Sequence, residues 1–278
     1  MAADPTPFLG ELPAGWLEPD GTPARMGFFT DTTVCIGCKA CEVACKEWNG
    51  VPEDGLAFTG MSYDNTRGLG ADTWRHVAFI EQRVASSGGP GDVRWLMSSD
   101  VCKHCTEAAC LDVCPTGSLF RTEFGTVVVQ EDICNGCGYC IPACPFGVID
   151  QRRGDGRAWK CTLCYDRLGA GLEPACAKAC PTDSIQFGRL DELRDRARGR
   201  VDALRERGVA GARLYGDDPD DGVGGAGAFF LLLDDPEVYG LPPAAVASTR
   251  HLPAIWRRVG LAAATMAAAA VAAFVGGS

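Results

Sequence analysis

Histidine is scarce. The 278 residues contain three, His76, His104 and His251, and no two stand at metal-ligand spacing, so none is expected to be a ligand. Basic charge is also short: 26 Lys and Arg against 36 Asp and Glu leave a net charge of −10. That balance argues against nucleic acid as a partner. Residues 1–29 hold no apolar run, and Arg25 is the only basic residue before Thr30. No secretory or twin-arginine address is therefore expected. A nucleotide-binding fingerprint is missing too. The glycine run Gly222-Val223-Gly224-Gly225-Ala226-Gly227 precedes the apolar, strand-like Phe229–Leu233, whereas a Rossmann loop follows its strand. It reads as a structural loop. No residue pattern points to a catalytic group.

Cysteine is what the chain has. Its 16 cysteines fall into four groups of four: Cys35, Cys38, Cys41, Cys45; Cys102, Cys105, Cys110, Cys114; Cys134, Cys137, Cys140, Cys144; and Cys161, Cys164, Cys176, Cys180. The first and third follow the bacterial ferredoxin spacing C-x2-C-x2-C-x3-C. The second and fourth carry insertions but keep a C-x2-C start and a C-x3-C finish, and Pro115, Pro145 and Pro181 follow the last three groups. Three thiolates on one tight loop reach three corners of a cubane. Gly37 and Gly136 sit in such loops, where positive φ and close backbone approach are needed. If a helix begins at the third cysteine, the fourth lies about one turn on and points away from its own loop. In two-cluster ferredoxins that fourth cysteine ligates the neighbouring cluster. Four motifs thus predict four [4Fe–4S] clusters in two pairs, adding roughly −2 of charge per cluster. A disulfide framework is disfavoured, because a chain this long builds a core without staples. Structural zinc prefers two separated pairs of ligands to three cysteines in seven residues. A degenerate three-iron site would need a group short of a cysteine.

The organisation is repetitive. Val34–Cys45 is similar to Ile133–Cys144, and Pro115-Thr116-Gly117-Ser118-Leu119 to Pro181-Thr182-Asp183-Ser184-Ile185. Val127–Val129 after Gly125 reads as a strand. Leu190, Leu193, Ala197, Val201 and Leu204 recur at helical spacing, with Gly208 as a stop. Leu56–Ser99 is an insertion without an assignable pattern. The fold expected is α+β: duplicated ferredoxin-like two-cluster units with insertions, plus a C-terminal transmembrane helix. Its expected parts are an irregular extension (1–29), the four-cluster region (30–190), a helix and strand extension (191–250) and a membrane anchor (251–278). The anchor rests on Val259–Val275, 17 residues without a charge, which meet the lower limit for a span through membrane lipid. Arg250, Arg257 and Arg258 precede it, so the positive-inside rule puts the cluster region in the cytoplasm.

Several runs carry a resemblance: Cys35–Asn49 (CIGCKACEVACKEWN), Tyr63-Asp64-Asn65, Cys134–Phe146 (CNGCGYCIPACPF), Lys160–Arg167 (KCTLCYDR), Glu173–Cys176, and Gly222–Gly225 before an apolar strand. Over roughly residues 27–275 the chain resembles the iron–sulfur (β) subunits of membrane-bound respiratory formate dehydrogenases. The cysteine pattern alone is shared with β subunits of hydrogenases and of nitrate, dimethyl sulfoxide and polysulfide reductases. The resemblance implies that motif one pairs with four, and two with three. Cluster A would be held by Cys35, Cys38, Cys41 and Cys180, and cluster B by Cys161, Cys164, Cys176 and Cys45. Cluster C would be held by Cys102, Cys105, Cys110 and Cys144, and cluster D by Cys134, Cys137, Cys140 and Cys114. It implies a non-catalytic electron carrier between a molybdenum or tungsten pterin subunit that oxidises formate and a cytochrome b that reduces quinone. It also implies placement on the outer face of the membrane, against the arginine flank. A scaffold holding purely structural metal is the reading from another class. Tyr139, Trp159 and Lys160 flank ligands and are expected to pack there.

Overall fold

The computed structural model of this chain describes residues 10–55, 58, 60, 63, 65–84 and 92–276. Asp64 of the Tyr63-Asp64-Asn65 run and residues 1–9 of the N-terminal extension lie outside the described residues. Strand β1 (Met26–Asp31) leads into the first motif, and α1 (Ala40–Asn49) carries that motif's last two cysteines. The hairpin β2 (Arg75–Val84) and β3 (Asp92–Val101) follows. It lies within the insertion that the sequence left unassigned. The second motif enters α2 (Ala109–Asp112). Strands β4 (Leu119–Arg121) and β5 (Val127–Val129) then precede the third motif and α3 (Cys140–Ala143). Short strands β6 (Asp150–Gln151) and β7 (Ala158–Trp159) lead to the fourth motif, which contains α4 (Tyr165–Gly169) and α5 (Ala175–Lys178). Beyond it come β8 (Ile185–Arg189), α6 (Leu190–Glu206), β9 (Arg213–Tyr215), β10 (Ala228–Leu232) and α7 (Leu252–Gly276).

Two pairings organise the cysteines. β1 and β8 pair antiparallel with Phe28 opposite Phe187, which brings the start of the first motif beside the end of the fourth. β4 and β5 pair antiparallel with Phe120 opposite Val128, which brings the second motif beside the third. One ferredoxin-like unit is therefore nested inside the other. β10 runs parallel to β1 and antiparallel to β9, so the central sheet has the order β8-β1-β10-β9. Every residue of β1 and β10 is buried, and Phe29 stacks on Phe229 with centroids 5.3 Å apart. The run Gly222–Gly227 is a structural loop as expected. Its Gly227 carbonyl accepts from Phe28 N–H at 2.8 Å, and a Cβ on Gly27 would lie 2.3 Å from that oxygen.

α6 buries Leu190, Leu193, Ala197, Val201 and Leu204, the five positions that the spacing singled out. They pack on Phe29, Phe229 and Leu231. Full burial of each leucine contributes about 2 kcal/mol. Asp191 and Glu192 in the first turn and Arg205 in the last complement the helix dipole. Arg200 Nε pairs with Asp31 Oδ2 at 2.9 Å, which fastens α6 to the entry of the first motif.

α7 is longer than the uncharged stretch that announced it and reaches back to Leu252. Leu252–Val275 has a mean hydropathy of 1.8 over its most apolar window, and none of that window is buried against the rest of the protein. Among the described residues it is the one helix long and apolar enough to cross a membrane.

Candidate metal centres

All four motifs share one backbone bend. The residue before the second cysteine has positive φ in each: Gly37 (65°), His104 (44°), Gly136 (73°) and Leu163 (58°). The sequence marks this bend only where glycine occupies it. A Cβ on Gly136 would lie 2.7 Å from the Gly156 carbonyl oxygen, and one on Gly37 would lie 2.6 Å from the Phe79 ring. His104 is buried, and Val127 N–H donates to its Nδ1 at 3.1 Å. Burial, reinforced by nearby Lys160, holds its pKa well below the usual value, so the ring is neutral. That bond takes Nδ1, and Nε2 is buried without a hydrogen-bond partner among the described residues.

The cysteines meet across motifs. One cavity is lined by Cys35, Cys38, Cys41 and Cys180. A second is lined by Cys45, Cys161, Cys164 and Cys176. A third is lined by Cys102, Cys105, Cys110 and Cys144. Cys134, Cys137 and Cys114 surround Cys140 closely enough to bias its ionisation. In each case three cysteines come from one motif and the fourth from its partner. In the first motif the helix makes the crossover: Cys41 and Cys45 lie one above the other on one face of α1, a turn apart along its axis, so each reaches a different cavity.

Successive quartets stand within electrostatic reach of one another. Cys41 lies near Cys176, Cys161 near Cys102, and Cys110 near Cys140. Of the 16 cysteines only Cys38 and Cys137 are exposed, one in each terminal quartet.

Polar groups close in on the sulfurs. Ala158 N–H lies 3.4 Å from Cys134 Sγ, and Leu163 N–H lies 3.3 Å from Cys161 Sγ. Asn49 Nδ2 is 3.8 Å from Cys45 Sγ and 3.7 Å from Cys164 Sγ. The repeated Pro-Thr acquires a reason: Thr116 and Thr182 hydroxyls stand 3.7 and 3.9 Å from Cys114 and Cys180, the two crossed-over cysteines that precede them. Lys160 is fully buried and donates to the carbonyls of Val127 and Cys161. Trp159 lies under the Arg152 guanidinium at 3.8 Å, and Tyr139 is exposed. Sequence reasoning missed two cations, Arg75 and Lys103, both 1% exposed. Lys103 Nζ pairs with Asp100 and donates to Val101 O at 2.8 Å. No pattern announced them, since a charged residue ordinarily signals a surface position.

The donor sets fit cubanes better than single ions. A zinc site needs four bonds of about 2.3 Å to one centre. Among the described residues no three His, Cys, Asp or Glu side chains converge in that way. The sulfurs stand around voids instead. Burial pushes the free thiols of Cys41, Cys140 and Cys164 up to about 11, and those of Cys110 and Cys161 up to about 12. Dry quartets of this kind ionise only with compensating cations, which cluster iron supplies.

Two families described as 4Fe-4S dicluster domain match residues 34–118 and 93–190. A formate dehydrogenase iron-sulfur subunit of Haemophilus influenzae is 44% identical over 76% of this chain and 67% of its own length. The nitrate-inducible formate dehydrogenase iron-sulfur subunit of Escherichia coli is 41% identical over 79% of this chain and 73% of its own length. The B subunit of the anaerobic dimethyl sulfoxide reductase of Escherichia coli is 36% identical over 61% of this chain and 76% of its own length.

Proposed function

We infer an electron path from one premise: this chain belongs to the family of formate dehydrogenase iron–sulfur subunits. It is an electron-transfer protein carrying [4Fe–4S] clusters. The finer reading is that it holds four, A to D, with the sixteen ligands assigned above, and performs no catalysis itself. The observation that carries this is the succession of neighbouring cysteine quartets, with one exposed cysteine in the first and one in the last.

The partners are a molybdenum or tungsten pterin subunit, where HCOO⁻ yields CO₂, H⁺ and two electrons, and a cytochrome b-type membrane subunit that passes electrons to quinone. Each cluster relays one electron at a time. The A and B pair faces the catalytic partner, and the C and D pair faces the membrane. Support for that polarity comes from the segment leading into α7, which is docked on the second motif. Thr249 Oγ1 donates to Asp112 Oδ2 at 2.5 Å, and Arg250 Nε pairs with Glu107 Oε2 at 3.0 Å. We place the cluster region on the outer face. The Arg257–Arg258 flank favours the opposite side, and a domain translocated already folded overrides so modest a bias.

The test is anaerobic purification with partners intact. The expected result is about sixteen iron atoms per polypeptide, reduction of the clusters by formate in the complex, and no reduction by formate in the isolated subunit. Eight iron atoms, or bound zinc, would refute the cluster assignment. Likeness to the dimethyl sulfoxide reductase subunit favours a second reading, the same wire serving another molybdenum oxidoreductase. The identity of the co-purifying large subunit separates the two.

A further inference from the structure

We propose that Arg75 is a fixed charge shared by clusters A and B, and that Ser99 extends its reach from a ligand of one cluster to a ligand of the other. This rests on the ligand assignment given under the proposed function.

Arg75 opens β2, and its side chain is fully buried. Nη2 donates to Cys176 Sγ, a ligand of cluster B, at 3.2 Å. Nη1 donates to Ser99 O at 3.2 Å and to Ser99 Oγ at 3.4 Å. Ser99 Oγ in turn lies 3.2 Å from Cys41 Sγ, a ligand of cluster A. A continuous path of polar contacts thus joins the two clusters' ligands through two side chains of one hairpin, on which Ser99 faces Val77, two residues along the strand from Arg75. The Phe28 ring, 4.8 Å from the guanidinium carbon, covers the cation.

A buried cation needs a counterion. Lys103 has Asp100. Among the described residues no carboxylate pairs with Arg75, and the anions acting on it most are the thiolates of Cys176, Cys41, Cys161 and Cys45. Three of these are assigned to cluster B and one, Cys41, to cluster A. The guanidinium is therefore neutralised by the clusters. By reciprocity it stabilises the more negative, reduced state of each and raises both potentials. Low local dielectric strengthens the effect. Standing between A and B, it also offsets the repulsion that an electron on one cluster exerts on the next.

The experiment is a redox titration followed by EPR on the purified complex, with iron counted in each sample. In Arg75→Met two clusters are expected to become harder to reduce, each by about tenfold in equilibrium constant or 59 mV for a one-electron couple. The other two stay in place and the iron content is unchanged. Ser99→Ala is expected to lower only the cluster that Cys41 ligates. Arg75→Lys keeps the charge and is expected to hold both potentials nearer to the parent than Arg75→Met does. Four intact clusters with unmoved potentials in Arg75→Met overturn the proposal, and so does movement of a single cluster. If Arg75→Met does not assemble, Arg75→Lys and Ser99→Ala carry the test. A Ser99→Ala complex with unmoved potentials overturns the path, and a loss in either variant of more than one cluster's iron assigns the residues to assembly instead. An unsubstituted complex with fewer than four clusters refutes the ligand assignment, a separate failure visible before any variant is made.

Discussion

Trp48 donates its indole N–H to Asp166 Oδ2 at 2.8 Å, and so ties the helix that ends the first motif to a helix inside the fourth. The Arg167 guanidinium lies over the same ring at 4.2 Å. The Glu-Trp-Asn run and the Tyr-Asp-Arg run, far apart in sequence, are two halves of one contact. Replacing Trp48 with Ala removes an exposed hydrogen bond and a cation–π contact, at a cost of about 1–2 kcal/mol together. The expected outcome is a lower unfolding midpoint and faster bleaching of cluster absorbance in air, with Trp48→Phe in between. Equal stability of all three proteins would show that the clusters alone hold motifs one and four together.

Cys45→Ser tests the crossover directly. The cluster perturbed should be the one bound by Cys161, Cys164 and Cys176, not the one bound by the cysteines of its own loop. Cluster-resolved EPR reads the change. Loss of the Cys35, Cys38, Cys41 signal alone would contradict the exchange.

The shared bend gives one expectation of strain, and a neighbouring lysine gives its opposite. Gly136→Ala adds a Cβ at φ 73° and 2.7 Å from a carbonyl oxygen, so strain and overlap should cost about 2–4 kcal/mol and loosen cluster D first. Lys39→Gly relieves a lysine held at φ 60°. The relief of about 1 kcal/mol is outweighed by a freer unfolded chain and by loss of the Lys39 Nζ–Glu42 Oε2 pair at 3.2 Å, which leaves a buried carboxylate short of its cation, so stability should fall below the parent's. Iron content and unfolding midpoint decide both.

In the isolated subunit, truncation before Leu252 should abolish membrane partition while leaving the clusters in place, because α7 buries none of its apolar window against the rest of the protein. Carbonate extraction and an iron count check the two halves. Iron lost along with membrane binding would show that the helix also supports the fold.

Much of this was legible from residue spacing. The four cysteine motifs, the strand at Val127–Val129, the five inward positions of α6 and the C-terminal span follow from periodicity and cysteine chemistry, whereas which motif pairs with which came only from the family resemblance. The hairpin β2–β3 was not, because buried Arg75 and the consecutive apolar residues Val77-Ala78-Phe79-Ile80 break the alternation that announces a half-buried strand. His104 and Leu163 escaped for a related reason. Sequence rules give positive φ to glycine, yet here tertiary packing imposes it on two buried larger residues.

Nesting has a consequence for the order in which the polypeptide is made. All eight cysteines assigned to C and D lie between residues 102 and 144. The quartet assigned to B waits for Cys176 and that of A for Cys180, each needing a cysteine laid down more than a hundred residues earlier. The inner pair closes over short loops and the outer over the longest ones, so loop-closure entropy and contact order both rank the inner pair as the faster to form. A ribosome releasing this polypeptide has exposed every inner ligand before it completes a single outer quartet, and Cys35, Cys38 and Cys41 must stay reduced through that interval.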